Sequence, residues 1–265
     1  MKRLTVTKPE GWIMHVTANA GAGKTTLIGD MLESELKYGP CAYLFTREEG
    51  TDKQGGWSVL PESVLRHENF EAILLETFED FEMLVKEWKE APRIALGIDT
   101  SSGLETLIRT SITGDPFIDL KSKLGDQQHK LFLNKWSYAI SCMRDMAKYT
   151  LMVSPAAVTS YNAEKGENDT GKSGSTLDAV KRIQPTGENN KSVAKLSYGC
   201  DYAFHIERVE GLHSGEIREY ILKNQPTLNM KSRIPLGKKL TSIKLVDTLG
   251  KNWEAVKSQI YSTFE

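Results

Sequence analysis

The chain has 265 residues, a formal net charge of −1, 39% hydrophobic and 26% charged residues, and three cysteines. This suits a globular protein with room for one large α/β domain or two small ones, and it supplies no overall charge to draw the chain to nucleic acid or a membrane surface. No run approaches the roughly 18 apolar residues of a membrane-crossing helix, and the cysteine spacing excludes a metal knuckle, which predicts reduced thiols and a cytoplasmic setting.

The opening MKRLTVTKPEGWIMHVT is basic, but its apolar run is too short and interrupted for a signal peptide. Within it Trp12–Thr17 (WIMHVT) predicts a strand buried on both faces. ANAGAGKTTL follows, Ala18 to Leu27, and a helix over Thr25–Tyr38. Strand, glycine-rich turn and helix opening on Lys-Thr-Thr is the context of a phosphate-binding loop. Asn19, Ala20, Gly21, Ala22, Gly23, Lys24, Thr25 and Thr26 are the candidate nucleotide-binding residues. The amides from Ala20 to Thr25 would face the β-phosphate at the positive end of the helix dipole. Lys24 would reach the β- and γ-phosphates, and the Thr25 hydroxyl would bind Mg²⁺. Gly21 and Gly23 permit close backbone approach. One position departs from the usual pattern: Ala18 stands where the first glycine is expected, at the strand exit, where a methyl is tolerated if φ is negative.

Ala42–Thr46 predicts the next strand, and Glu48 follows it as a candidate for orienting an attacking water, with Glu49 second. Ordinary loop carboxylates are the other reading of that pair. A strand at Ala72–Leu75 and a helix at Phe78–Glu90 lead to Arg93–Asp99 (RIALGID), an apolar run ending in a carboxylate and followed by Thr100, Ser101 and Ser102. An aspartate closing a buried strand is costly without a partner, and Mg²⁺ would be one, so Asp99 joins Thr25 as a metal ligand. Gln128–Tyr149 carries Leu131, Phe132, Trp136, Ile140 and Met143 on a helical stripe that predicts core packing. Thr150–Ser154 predicts a strand whose Ser154 is either a γ-phosphate sensor or a satisfied strand-end serine.

The alternation of strands and helices predicts a mainly parallel sheet flanked by helices, with additional C-terminal strands, in a single domain spanning 1–265. Thr159–Asn190 is polar and glycine-bearing, and it predicts a functional or disordered loop. Further strands are expected at Ser192–Tyr198, Tyr202–Val209 and Glu216–Leu222, with a hairpin turn at Leu212–Gly215 and a helix at Asn252–Tyr261. Charge is uneven: nine acidic against three basic residues from Pro61 to Glu90, and seven Lys or Arg against Asp247 alone from Lys223 to Lys251. These are solvated faces, or the two poles of a head-to-tail assembly, or a basic end facing a polyanion.

The phosphate loop, the strand leading to Glu48, Asp99, the TLMVS strand and the polar segment after it together resemble the RecA-like P-loop ATPases. Among these the chain is most similar to short phage-encoded nucleotide-binding proteins of the single-strand annealing and recombination kind, over about residues 10–240. The resemblance implies ATP and Mg²⁺ as ligands and catalytic roles for Lys24, Glu48 and Asp99. It implies that Lys231 and Arg233, in LNMKSRIPLG, enter a neighbour's site in trans, which requires a homo-oligomer, ring or filament. Single-stranded DNA is the implied partner, with Thr110–Gln127 and Thr159–Asn190 lining its path and Lys172, Lys181 and Arg182, beside Gly171 and Gly174, clamping its backbone. A phage or host single-strand-binding or replication protein would be a further partner, in the host cytoplasm. No amino-terminal polymerisation domain and no primase-binding domain is legible. A helicase loader or other replication ATPase, and an ATP-switched assembly protein with little turnover, are the alternatives. A small-molecule kinase would need an arginine-bearing lid, and the polar segment has only Arg182.

Overall fold

The computed structural model describes residues 9–19, 21–46, 59–118, 122–162, 167–168, 179–185, 199–210, 217–223, 242–245 and 250–265, with backbone alone over 157–162, 167–168, 179–185, 208–210, 217–220 and 222–223. Its centre is a parallel sheet of six strands: β1 (Trp12–Ala18), β2 (Cys41–Thr46), β3 (Phe70–Leu75), β4 (Arg93–Asp99), β5 (Ala147–Asn162) and β8 (Tyr202–Glu210). They lie in the order β3-β2-β4-β5-β1-β8, compatible with a Rossmann-like or RecA-like fold. β9 (Ile217–Lys223) and β10 (Ile243–Leu245) extend the β8 edge antiparallel.

Helices cover both faces because the strands alternate. Trp12, Met14, Val16 and Ala18 of β1 belong to the core beneath α1 (Lys24–Glu35) and α6 (Lys251–Ser262). Ile13 of the same strand joins the opposite core, with residues of α3 (Phe78–Glu90), α4 (Ser101–Thr113) and α5 (Asp126–Met146). A one-turn helix, α2 (Glu62–Leu65), tucks Val64 beside α1. No helix among the described residues is long and apolar enough to cross a membrane.

Three expectations need correction. The polar segment Thr159–Asn190 is not wholly loop: β5 runs through Asn162, and β6 (Glu167–Asn168) and β7 (Ala179–Pro185) pair with it antiparallel. Backbone pairing rather than a core-facing apolar pattern makes those strands. The helix predicted to reach Tyr149 stops at Met146, because Ala147 already pairs with Arg93 in the sheet. Thr110–Gln127 shrinks as a loop, its ends belonging to α4 and α5. The strand expected at Ser192–Tyr198 and the turn at Leu212–Gly215 lie outside the described residues.

Helix α1 sits directly on β4 through Gly97. A Cβ at Gly97 would fall 2.3 Å from Ile28 Cγ2 and 3.3 Å from the Tyr43 ring. Ile28 is fully buried and stiff at χ1, so it cannot swing aside. Gly97→Ala is therefore expected to destabilise the fold by about 1–3 kcal/mol. A urea melt measures this, and an unchanged midpoint would contradict the close contact.

Candidate functional site

β1 ends at Ala18, and the loop to α1 crosses the carboxyl edge of the sheet. Ala18 is fully buried, with Pro155 on one side and Ile206 on the other in register. The residue that departs from the usual glycine is thus an ordinary extended strand residue whose methyl fills the core. The left-handed positions are Gly21 (φ 72°) and Gly23 (φ 83°), and glycines occupy both. Ala22 N–H donates to Asn19 O at 3.3 Å and closes the turn. Gly23 caps α1, whose first turn has no side-chain cap and no acidic residue. α3 and α4, by contrast, begin on Thr77 and Thr100, whose hydroxyls accept from backbone N–H groups. At α1 the first-turn amides are left facing outward from a positive dipole end.

Lys24 turns its ammonium back over this loop, donating to Ala18 O at 3.2 Å and Asn19 O at 3.1 Å. The next residue, Thr25, donates from its hydroxyl to Asp99 Oδ2 at 2.7 Å. Asp99 is the last residue of β4 and receives a second hydroxyl, from Tyr43 of β2, at 2.8 Å on the same oxygen. The structure therefore brings Lys24, Thr25 and Asp99 to one end of the sheet. Thr26 is exposed on the first turn of α1. Thr25 and Asp99 offer hard oxygen donors, one of them charged, from two elements. That set fits Mg²⁺, which takes one or two carboxylates, waters and phosphate oxygens rather than a full protein cage. No group of three or more His, Cys, Asp or Glu that could hold a metal is found among the described residues.

Behind this pair lies a polar row that the sequence reading did not assemble. The pairings Phe45↔Asp99 and Asp99↔Val153 put Thr46, Thr100 and Ser154 at one level, one step further on. Thr17 pairs with Ser154 on one side and His205 on the other. Thr46, Ser154, Thr17 and His205 are thus buried on β2, β5, β1 and β8, on the face opposite α1, and Thr100, the buried residue directly after β4, caps α4. Thr17 Oγ1 lies 3.1 Å from His205 Nδ1, and Ser154 Oγ lies 3.0 Å from His15 Nε2. His15 is fully buried, and that burial holds its pKa down to about 3, so its imidazole is neutral at physiological pH. The period-two alternation of WIMHVT puts His15 and Thr17 on one face and would have shown half of this pattern. Tyr43 gave no signal, since only strand pairing reveals its reach to Asp99.

The remaining candidates are not brought to this edge by anything described. Ala20, Glu48, Glu49, Lys172, Lys231 and Arg233 lie outside the described residues. Lys181 and Arg182 belong to β7, opposite Ser160 and Thr159, and only their backbone is described.

No protein-family model matches this chain, and comparison with curated proteins gives no match.

Proposed function

We propose that this chain is a Mg²⁺-dependent P-loop ATPase of the RecA-like kind, active as a homo-oligomer and acting on single-stranded DNA in phage recombination, annealing or replication. The observation that carries the nucleotide part is the juxtaposition at the sheet edge: a glycine-bearing loop with two left-handed turns, the Lys24 ammonium over it, and the Thr25 hydroxyl 2.7 Å from Asp99. One ammonium, a hydroxyl and a helix amino-terminus beside one carboxylate suit a metal-bound polyphosphate. The oligomer and DNA parts rest on the resemblance alone.

In this reading the loop amides and Lys24 bind the β- and γ-phosphates and orient the terminal phosphorus for in-line attack. Thr25 and Asp99 would hold Mg²⁺, which when bound would supply positive charge to the phosphate oxygens. Tyr43 fixes the Asp99 carboxylate so that it need not reorganise when the metal enters. Glu48 orients the attacking water, and Lys231 and Arg233 of a neighbouring copy stabilise the charge that develops on the transferred group.

Steady-state hydrolysis of ATP, with and without single-stranded DNA, tests the reading. Asp99→Asn is expected to lower kcat by at least about tenfold and to move half-saturation by Mg²⁺ to higher concentration. DNA is expected to raise the parent rate. An Asp99→Asn protein with parental kcat and Mg²⁺ dependence would remove Asp99 from the metal site. A parent that binds ATP but does not turn it over, with or without DNA, would instead be a nucleotide-switched assembly protein.

A further inference from the structure

His15 is the one buried histidine whose ring reaches Ser154 from β1, and its other nitrogen has no evident structural task. Nδ1 is buried without a hydrogen-bond partner among the described residues, while Nε2 lies 3.0 Å from Ser154 Oγ. Thr17, two residues along the same face, makes its hydrogen bonds to Phe204 O at 3.4 Å and His205 Nδ1 at 3.1 Å, and none joins it to His15 Nδ1. A neutral imidazole carries one N–H, and its place decides what Ser154 can do. With the proton on Nδ1, the ring would bury a fixed N–H with nothing to accept it, and Ser154 would spend its own proton on Nε2. With the proton on Nε2, the bare Nδ1 is an unsatisfied acceptor, which protein interiors tolerate more often than an orphan N–H. Ser154 then accepts, and the donor left over sits on a hydroxyl that can rotate toward an acceptor.

We propose that His15 is a positioning residue: its Nε2–H donates to Ser154 Oγ and leaves the Ser154 proton to donate to a phosphate oxygen of the bound nucleoside triphosphate. The inference rests on the nucleotide reading above and extends it to a residue beneath the loop. Register supports the placement. Ser154 pairs with Thr17, two residues before the loop begins at Asn19, and it directly follows Val153, the partner of Asp99. The complete burial of His15 keeps water from competing for either nitrogen. A donor set in place before the ligand arrives, in a dry site, is the kind that favours the developing charge of phosphoryl transfer over the ground state.

Two measurements test this. Nitrogen-15 NMR of the imidazoles, with nucleotide-free protein and with a non-hydrolysable ATP analogue plus Mg²⁺, reads the His15 tautomer directly. The Nε2–H form is expected in both, and an Nδ1–H form in the bound protein would overturn the proposal. In kinetics, Ser154→Ala and His15→Leu are each expected to lower kcat about tenfold with KM for ATP within about threefold. His15→Gln, whose amide can donate from a similar position, should recover most of the rate. The double variant His15→Leu/Ser154→Ala should fall no further than either single change, because both remove one donor. Independent, multiplying losses would overturn the proposal, as would a parental rate in Ser154→Ala. If His15→Leu does not fold, Ser154→Ala, His15→Gln and the tautomer measurement still decide. A parent protein that fails to bind triphosphate overturns the nucleotide reading and this inference together. A parent that hydrolyses ATP normally but shows the wrong tautomer overturns this inference alone.

Discussion

Lys24→Ala protein is expected to bind ATP on the order of 10–100-fold more weakly than the parent and to lose measurable turnover. The magnitude follows from the chemistry of the contact. A hydrogen bond from an ammonium to a phosphate oxygen is charge-assisted and contributes about 1.5–3 kcal/mol, or roughly one to two decades of affinity. The catalytic loss is larger, since the same ammonium would meet charge that grows on the γ-phosphate in the transition state. Folding should hardly change. Lys24 Nζ donates to the Ala18 and Asn19 carbonyls at 3.2 and 3.1 Å, on a partly exposed loop whose turns are set by Gly21 and Gly23. Anisotropy of a fluorescent ATP analogue measures the affinity, and a thermal melt checks the fold. Parental affinity in the variant would mean that the loop amides do not surround a polyphosphate. Lys24→Arg is the sharper control, because a planar fork cannot replace a compact ammonium at the loop's centre.

The largest expected effect on stability belongs to Trp253. Its ring is fully buried on α6, 6.1 Å from Trp12 and 5.8 Å from Tyr149, and its Nε1–H donates to Glu35 Oε1 at 2.8 Å. Glu35 lies on α1 and is itself buried, with Lys257 Nζ 2.7 Å away. Trp253→Ala would open a large cavity between α1 and β1 and take one donor from a carboxylate that needs both. A loss of about 3–5 kcal/mol is expected. Trp253→Phe keeps most of the volume and should lose about 1–3 kcal/mol, chiefly for the missing N–H. Urea melts of the three proteins separate the packing and hydrogen-bond contributions. A loss below about 1 kcal/mol for Trp253→Ala would mean that α6 does not complete the core.

What could be read in the sequence followed from local pattern. WIMHVT, the glycine-bearing turn and the helix after it carry their own period and turn chemistry, and β1, the loop and α1 fall where expected. RIALGID ends in the carboxylate that Thr25 meets, and Asn252–Tyr261 is α6 to within a residue at each end. α4 was missed although Thr100 is a good N-cap and Leu104 and Ile108 repeat at four residues; three small hydroxyl residues after a strand read more readily as loop. β7 was missed because AVKRIQP has too short an alternation to stand alone, and only its ladder to β5 makes it a strand. The row from Thr46 to His205 was beyond any local pattern. It exists only once five strands from across the chain are placed side by side in one register.

The packing of α6 on α1 also sets an order of events during synthesis. Asp30 accepts from Asn252 Nδ2 at 2.5 Å across 222 residues of sequence, and Trp12, Leu32 and Trp253 share one core. Until α6 leaves the ribosome, the flank of α1 that it will cover stays wet and sticky. Contacts so distant in sequence form late and slowly, and they leave the nascent amino-terminal half a natural client for chaperones. A ribosome stalled ahead of Asn252 should therefore hold a chain whose loop sequence is complete but whose supporting helix is still unanchored.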